Sequence, residues 1–293
     1  IVDTINILLI NIFAALATGG AVVCSQYLGS QDRKRACVAA KQLILSTGFL
    51  AVIIMVIALI GCTFILQLVF PNVESSVMWN AQTYFRISAW SYPFIALYNS
   101  GAALFRSMGN SRISMITSLF MNAFNIAGNA VLIYGFHMGV AGAAISSLVS
   151  RILGSLFMLY LLRSPDNTIY IDDYRRLEFH PAMIRRILTI GIPNGLENGM
   201  FQIGKILVQG LIAGFGTVAI AANAVANNIA QMEIIPAAAI GLAMITVVGQ
   251  CVGAGDYAQA VSTYKKADEN CLCFHDCTES SHTMSCAFYS EHI

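Results

Sequence analysis

The sequence predicts an all-α integral membrane protein whose helices form two lobes related as parallel repeats. Three observations carry that prediction. Hydrophobic residues make up 57% of the chain and charged residues only 11%, where an ordinary soluble domain carries roughly 25% charged residues. Residues 42–73 and 113–150 contain no Asp, Glu, Lys or Arg, and a membrane-spanning helix needs about 20 apolar residues. Residues 1–41 also align without a gap on residues 225–265. Identical pairs include Ile5/Ile229, Ala14/Ala238, Val23/Val247, Gln26/Gln250, Gly29/Gly253, Asp32/Asp256 and Lys41/Lys265. In so apolar a chain, an internal duplication points to a transporter built from two related halves.

Seven spans follow in order. Span one, 1–28, ends in a Gln-x-x-Gly-x-x-Asp turn at Gln26, Gly29 and Asp32. Span two, 42–70, stops at PNVESS, 71–76; span three, 84–106, stops at MGNSR, 108–112. Span four, 113–134, closes at YGFHMG, 134–139, and span five, 139–162, gives way to a charged segment. Span six, 187–214, ends at GFGT, 214–217. Span seven, 219–250, runs into the second copy of the turn at Gln250 and Gly253. Unbroken runs of this length predict helices, since barrel strands would show short alternating segments.

Thirteen of the 16 Lys and Arg residues fall on one side of this arrangement. Arg86 lies on the other side, and Arg151 and Lys205 fall inside spans. The positive-inside rule then places the basic side in the cytoplasm and residue 1 outside. Six spans separate the ends of the two repeat copies, so both cross the membrane in the same sense. The lobe boundary falls in the charged segment 163–186, read as a cytoplasmic linker. Residues 1–162 form the first lobe, 187–267 the start of the second, and 268–293 a polar tail rich in Cys and His. The Cys and His spacing in that tail, from Cys271 to Cys286, matches no common zinc pattern. An out-of-frame terminus is the expectation there, and no metal is. Cys24, Cys37, Cys62 and Cys251 lie in apolar helix and read as small packing residues.

Four passages carry a family resemblance. They are the duplicated Gln-x-x-Gly turn, FRSMGNSR at 105–112 with Arg106, Gly109 and Arg112, NIAGNAVLIYG through GVAGAAISS at 125–147, and GIPNGLE at 191–197. Together they resemble the multidrug and toxic compound extrusion family, the cation-coupled efflux antiporters, over residues 1–267. The resemblance implies a twelve-helix bundle with a cavity between two lobes that opens alternately to either face. About seven of the twelve transmembrane helices, the second to the eighth, would lie in this chain.

Ionisable residues inside spans mark functional positions, since a charge at the bilayer centre costs about 2.5–3.5 kcal/mol on insertion scales. Glu197 follows Pro193 in span six, with Lys205 two turns further on, and Glu233 precedes Pro236 in span seven. The two acids are candidates for a coupling cation or a substrate ammonium group. Lys205 and Arg151 read as charge partners. Prolines at 193 and 236 free backbone carbonyls for cation coordination or bending. The resemblance adds a first-lobe cation site, whose family positions read Asn125, Asn129 and Ser147 here, with a carboxylate replaced at Asn129. Trp79, Tyr84 and Trp90 read as an interfacial belt, and Gly195/Gly199 and Gly139/Gly142 as close-packing pairs.

The expected activity is export of organic, cationic amphipathic compounds in exchange for H⁺ or Na⁺, with no cofactor beyond that ion. Expected partners are the lipid bilayer and small organic substrates, with no nucleic acid, and the expected unit is a monomer in the inner or plasma membrane. A flippase for lipid-linked oligosaccharides would be expected to line its cavity with several arginines for phosphates, and only Arg151 is available in the spans. A membrane enzyme would need a nucleophile and base within spans, and all five His lie in loops or the tail. A non-transporting membrane protein is the remaining alternative.

Overall fold

The computed structural model describes residues 2–69, 75–171, 179–213, 215 and 217–270. Every regular element among them is helical. α1 (Val2–Gly29) and α2 (Arg33–Val69) are followed by α3 (Ser75–Trp90) and α4 (Tyr92–Ser107). α5 (Ser111–Asn129) widens into a π-helical turn, Ala130–Gly135, before α6 (Gly139–Leu161). α7 (Pro181–Ala213) and α8 (Thr217–Ala254) make up the expected start of the second lobe, and helix resumes over residues 257–270. Residues 271–293, most of the Cys/His tail, lie outside the described residues.

Three of the expected spans differ in the structure. The third span is divided between α3 and α4 because Pro93 lacks an N–H and its ring crowds the preceding turn. Ser91 turns the chain there, donating both its N–H (2.9 Å) and its hydroxyl (2.6 Å) to the Ser88 carbonyl. α2 and α7 start at Arg33 and Pro181, before the expected 42 and 187. Hydropathy marks only what sits in the bilayer, while a helix continues into polar sequence wherever its end is capped. Asp32 caps α2, its Oδ1 accepting the Arg35 N–H at 3.0 Å.

The repeat is legible in the backbone. Asp32 N–H donates to the Tyr27 carbonyl, and Asp256 N–H to the Cys251 carbonyl, each at 3.0 Å. Asp256 Oδ1 accepts the Gln259 N–H at 2.9 Å, as Asp32 does from Arg35. Gln31 and Gly255 occupy equivalent positions and both have positive φ, 59° and 80°. The two Gln-x-x-Gly-x-x-Asp turns are thus one structure built twice.

The first lobe packs around two apolar clusters. At the linker end Leu43, Leu104, Phe105, Met158 and Leu162 are fully buried. Towards the other end Phe13, Leu66, Phe85 and Tyr92 are, with Phe13 tilted against Tyr92 at 6.3 Å between centroids. The first part of the expected linker belongs to this lobe. Arg33 donates to the carbonyls of Thr168 (2.8 Å), Pro165 (3.3 Å) and Asn167, and its guanidinium lies 5.4 Å from the Tyr170 ring centroid. Ile169 and Ile171 are buried among the linker-end residues. The last six residues of the 163–186 segment are the first turns of α7.

Large apolar side chains face outward along the spans, among them Ile60 at 83% and Leu211 at 71% exposure. Water would penalise so continuous an apolar surface, whereas a bilayer matches it. Among the described residues, five stretches are long and apolar enough to cross a membrane: Ile5–Gly29, Arg33–Phe64, Ser111–Gly135, Gly139–Leu161 and Ala222–Ala254.

Candidate functional site

The two turns meet each other. A Cβ on Gly29 would fall on the Gln250 carbonyl oxygen, and a Cβ on Gly253 on that of Gln26. The pairs interchange under the repeat, so α1 and α8 cross about a local two-fold at the linker end, with only glycine hydrogens between their backbones. The glutamine side chains then reach across the lobes. Gln26 Oε1 accepts from Arg186 of α7 at 2.6 Å, and the same guanidinium donates to the Tyr27 hydroxyl at 2.9 Å. Gln250 donates to the Ser107 carbonyl at 3.0 Å, and Thr246 donates to the Arg106 carbonyl at 3.1 Å. Gly109, with φ of 78°, ends α4 beside these carbonyls. Arg106 bridges to Ser114 Oγ at 3.3 Å, while Arg112 is exposed. About two turns deeper on α1 from Gln26, α7 lies against it, where a Cβ on Gly19 would come within 2.7 Å of the Gly191 nitrogen.

The first-lobe positions expected to bind a cation do come together. Asn129 donates to Asn125 Oδ1 at 3.1 Å, and Asn125 donates to Ser147 Oγ, also at 3.1 Å. Two residues the sequence did not single out join them: Ser150 lies 3.5 Å from Asn125 Nδ2, and Ser146 donates to the Asn125 carbonyl at 2.9 Å. Asn129 Oδ1 is buried without a hydrogen-bond partner. A buried acceptor left unpaired costs roughly 1–3 kcal/mol, and oxygens of this kind are what a hard cation takes as ligands. The π-helical turn begins at the next residue, and such turns gather at functional positions. No cluster of three or more His, Cys, Asp or Glu forms among the described residues.

The span residues of the second lobe separate. Glu197 is exposed, and Pro193 lies within a continuous α7. On the neighbouring face, a Cβ added at Gly195 would lie 3.6 Å from the Ala15 Cβ of α1. Lys205 makes no ion pair with Glu197; its Nζ sits 4.9 Å above the Phe201 ring centroid. The Glu233 side chain lies outside the described residues. Arg151 donates to Ser91 Oγ at 2.6 Å, which ties α6 to the α3–α4 break. Of the glycine pairs, a Cβ on Gly142 would lie 3.1 Å from Leu132 and one on Gly195 would touch Ala15, while one on Gly139 or Gly199 would meet open space. At the end away from the linker, a cleft of about 710 Å³ opens between α1, α7 and α8. Ile7, Phe201, Gln202, Lys205, Asn223 and Gln231 are among its lining residues.

Comparison with known proteins agrees with this architecture. A family model described as MatE matches residues 1–131 and 193–267, one stretch in each lobe. The chain is 25% identical over 264 residues to the uncharacterized transporter YisQ of Bacillus subtilis, covering 89% of this chain and 57% of YisQ. It is 26% identical over 263 residues to the probable multidrug resistance protein NorM of Thermotoga maritima, covering 84% and 53%. The fold of a multidrug resistance MATE family transporter in an outward-facing conformation superposes with a TM-score of 0.86 at 21% identity, over 93% of this chain and 60% of that one. The chain thus spans little more than half the length of the curated relatives it matches. With the duplicated turn, the helical lobes and a family match over most of its length, the chain belongs to the MatE family of membrane transporters.

Proposed function

We propose that this protein is a multidrug efflux antiporter, exporting organic compounds in exchange for H⁺ or Na⁺ by opening its lobes alternately at either end. The observation that carries the reading is the asymmetry of the lobe contact. At the linker end α1 and α8 are closed backbone to backbone, while at the other end α1, α7 and α8 leave a cleft. A transporter needs two such arrangements of the same lobes, and ligands that favour opposite ones drive each other's release. The coupling ion has two candidate places: the carboxylates of Glu197 and Glu233, and the oxygens around Asn125, Asn129 and Ser147. We place the protein in the inner or plasma membrane, with the linker in the cytoplasm and residue 1 outside. It works as a monomer, since one chain supplies both sides of the seam. Arg151 is engaged with Ser91, which favours this reading over a flippase with an arginine-lined cavity.

The expectation of cationic substrates rests on the two acids, and Glu197 lies one turn outside the described lining of the cleft. The charge of the substrate is set by what does line it. Everted membrane vesicles from cells expressing the whole gene test the antiport. A proton or sodium gradient, high inside, should drive uptake of ethidium or carboxyfluorescein, and Glu197→Gln should abolish the dependence on that gradient. Undiminished coupled uptake removes Glu197 from the mechanism, and uptake indifferent to both gradients overturns the reading.

A further inference from the structure

We infer that the α7–α8 cleft binds the anionic group of its ligand, a carboxylate or sulfonate on an amphipathic organic body, through Lys205. The inference rests on the efflux reading above and supplies its substrate class. Lys205 and six carboxamides, those of Gln202, Gln209, Asn223, Asn227, Asn228 and Gln231, line the cleft, and no carboxylate does so among the described residues. Among the described residues, only Asn227 of these amides spends a donor within the protein, on the Asn223 carbonyl at 2.9 Å. Lys205 Nζ rests on the Phe201 ring, and no carboxylate oxygen lies within 4.0 Å of it among the described residues.

The chemistry of that lining selects by sign. An ammonium group in a cleft walled by Ile7, Phe201 and Val208 is less screened than in open water. It attracts an anion and repels a cation, and a charge-assisted hydrogen bond to a carboxylate is the strongest contact it can make. Carboxamides accept and donate equally, so they solvate an anion's oxygens without discriminating against its size. Phe201 supplies the apolar surface beside the charge, which suits an aromatic carboxylate. A cleft of about 710 Å³ falls within the range of small-molecule sites, roughly 300–1,000 Å³.

Equilibrium binding to the purified protein in detergent tests this, read by fluorescence anisotropy with carboxyfluorescein and ethidium as probes. Carboxyfluorescein should bind more tightly than ethidium. Lys205→Gln should weaken it about tenfold, the loss of one charge-assisted contact, while Lys205→Arg should retain it. Lys205→Glu should invert the preference. Lys205 is exposed, so none of these variants threatens the fold. Carboxyfluorescein binding that is absent, or that Lys205→Gln leaves unchanged, overturns the inference. The vesicle assay separates the two readings: gradient-driven uptake of ethidium alone would leave the antiporter standing and remove only the anion site. Lys205-dependent anion binding without gradient-driven uptake would do the reverse.

Discussion

Gly29→Ala is the sharpest probe of the seam between the lobes. The added methyl would overlap the Gln250 carbonyl oxygen, and the Gln250 carbonyl carbon and Cα would lie 2.7 and 2.8 Å from it. Carbon atoms in contact settle near 3.5 Å, so relieving the carbons alone parts α1 and α8 by about 0.7 Å, and the nearer oxygen requires more. The obstacle is backbone, which has no alternative rotamer. Overpacking of this kind costs about 1–3 kcal/mol, which corresponds to about a 5- to 150-fold shift against the closed seam. The higher helix propensity of Ala, worth about 1 kcal/mol over Gly, does not offset this, because α1 is helical whether the seam is closed or open. Gly253→Ala meets the Gln26 backbone at the same 2.7 and 2.8 Å and should shift the equilibrium equally. The double variant should fall short of additivity, since the first methyl has already parted the helices. Spin labels at Ser30 and Tyr257, exposed on either side of the seam, in a cysteine-free background, report the opening. Each single variant should add a population at longer distance. Unchanged distance distributions in both singles and the double would mean that the glycines do not hold the lobes together.

Two further outcomes follow from the first lobe. Asn129→Asp places a carboxylate where a buried oxygen lacks a partner, so Na⁺ affinity measured by calorimetry should rise about tenfold, the Coulombic gain net of desolvation; no change in cation binding would remove the cluster from coupling. Arg33→Ala removes the donor shared by the Pro165, Asn167 and Thr168 carbonyls. Tryptic cleavage after Arg163 should then quicken about fivefold, for a loss of about 1 kcal/mol in a solvent-exposed contact, and an unchanged rate would mean that buried Ile169 and Ile171 alone hold the segment.

The repeat and the spans could be read from the sequence because their causes are local. A turn of seven residues needs the same Gln, Gly and Asp wherever it is built, and an apolar run betrays a membrane helix without reference to its neighbours. Asn125, Asn129 and Ser147 were found by resemblance, and the structure joins them because α5 and α6 are adjacent antiparallel helices. Arg186 was not found. Its partner Gln26 lies 160 residues away, and no local pattern links a helix start to a distant turn. Lys205 reads from the sequence as a charge partner, yet helical side chains lean towards the N-terminus, which brings its ammonium over Phe201, one turn back. Gly139 and Gly199 read as packing positions, but a Cβ added at either would meet open space. Spacing on one helix says which face is smooth and leaves open what lies against it.

The duplicated turn also bears on how readily the seam can open. Symmetry governs the backbone contact, where Gly29 meets Gln250 and Gly253 meets Gln26, but it does not extend to the side chains. Gln26 accepts from a guanidinium of the second lobe, whereas Gln250 donates to a main-chain carbonyl of the first. Among the described residues, four polar bonds cross the seam, from Arg186 to Gln26 and to Tyr27, from Gln250 to Ser107, and from Thr246 to Arg106. At about 0.5–1.5 kcal/mol net apiece they contribute roughly 2–6 kcal/mol. Driving a two-state equilibrium from one side to the other takes a differential affinity of about 5.5 kcal/mol, which matches the upper part of that range. Side chains interleaved to core density would raise the requirement beyond what one bound ion supplies. Glycine at both crossing points gives contact without interdigitation, and a seam so made can be opened and closed by ligand binding.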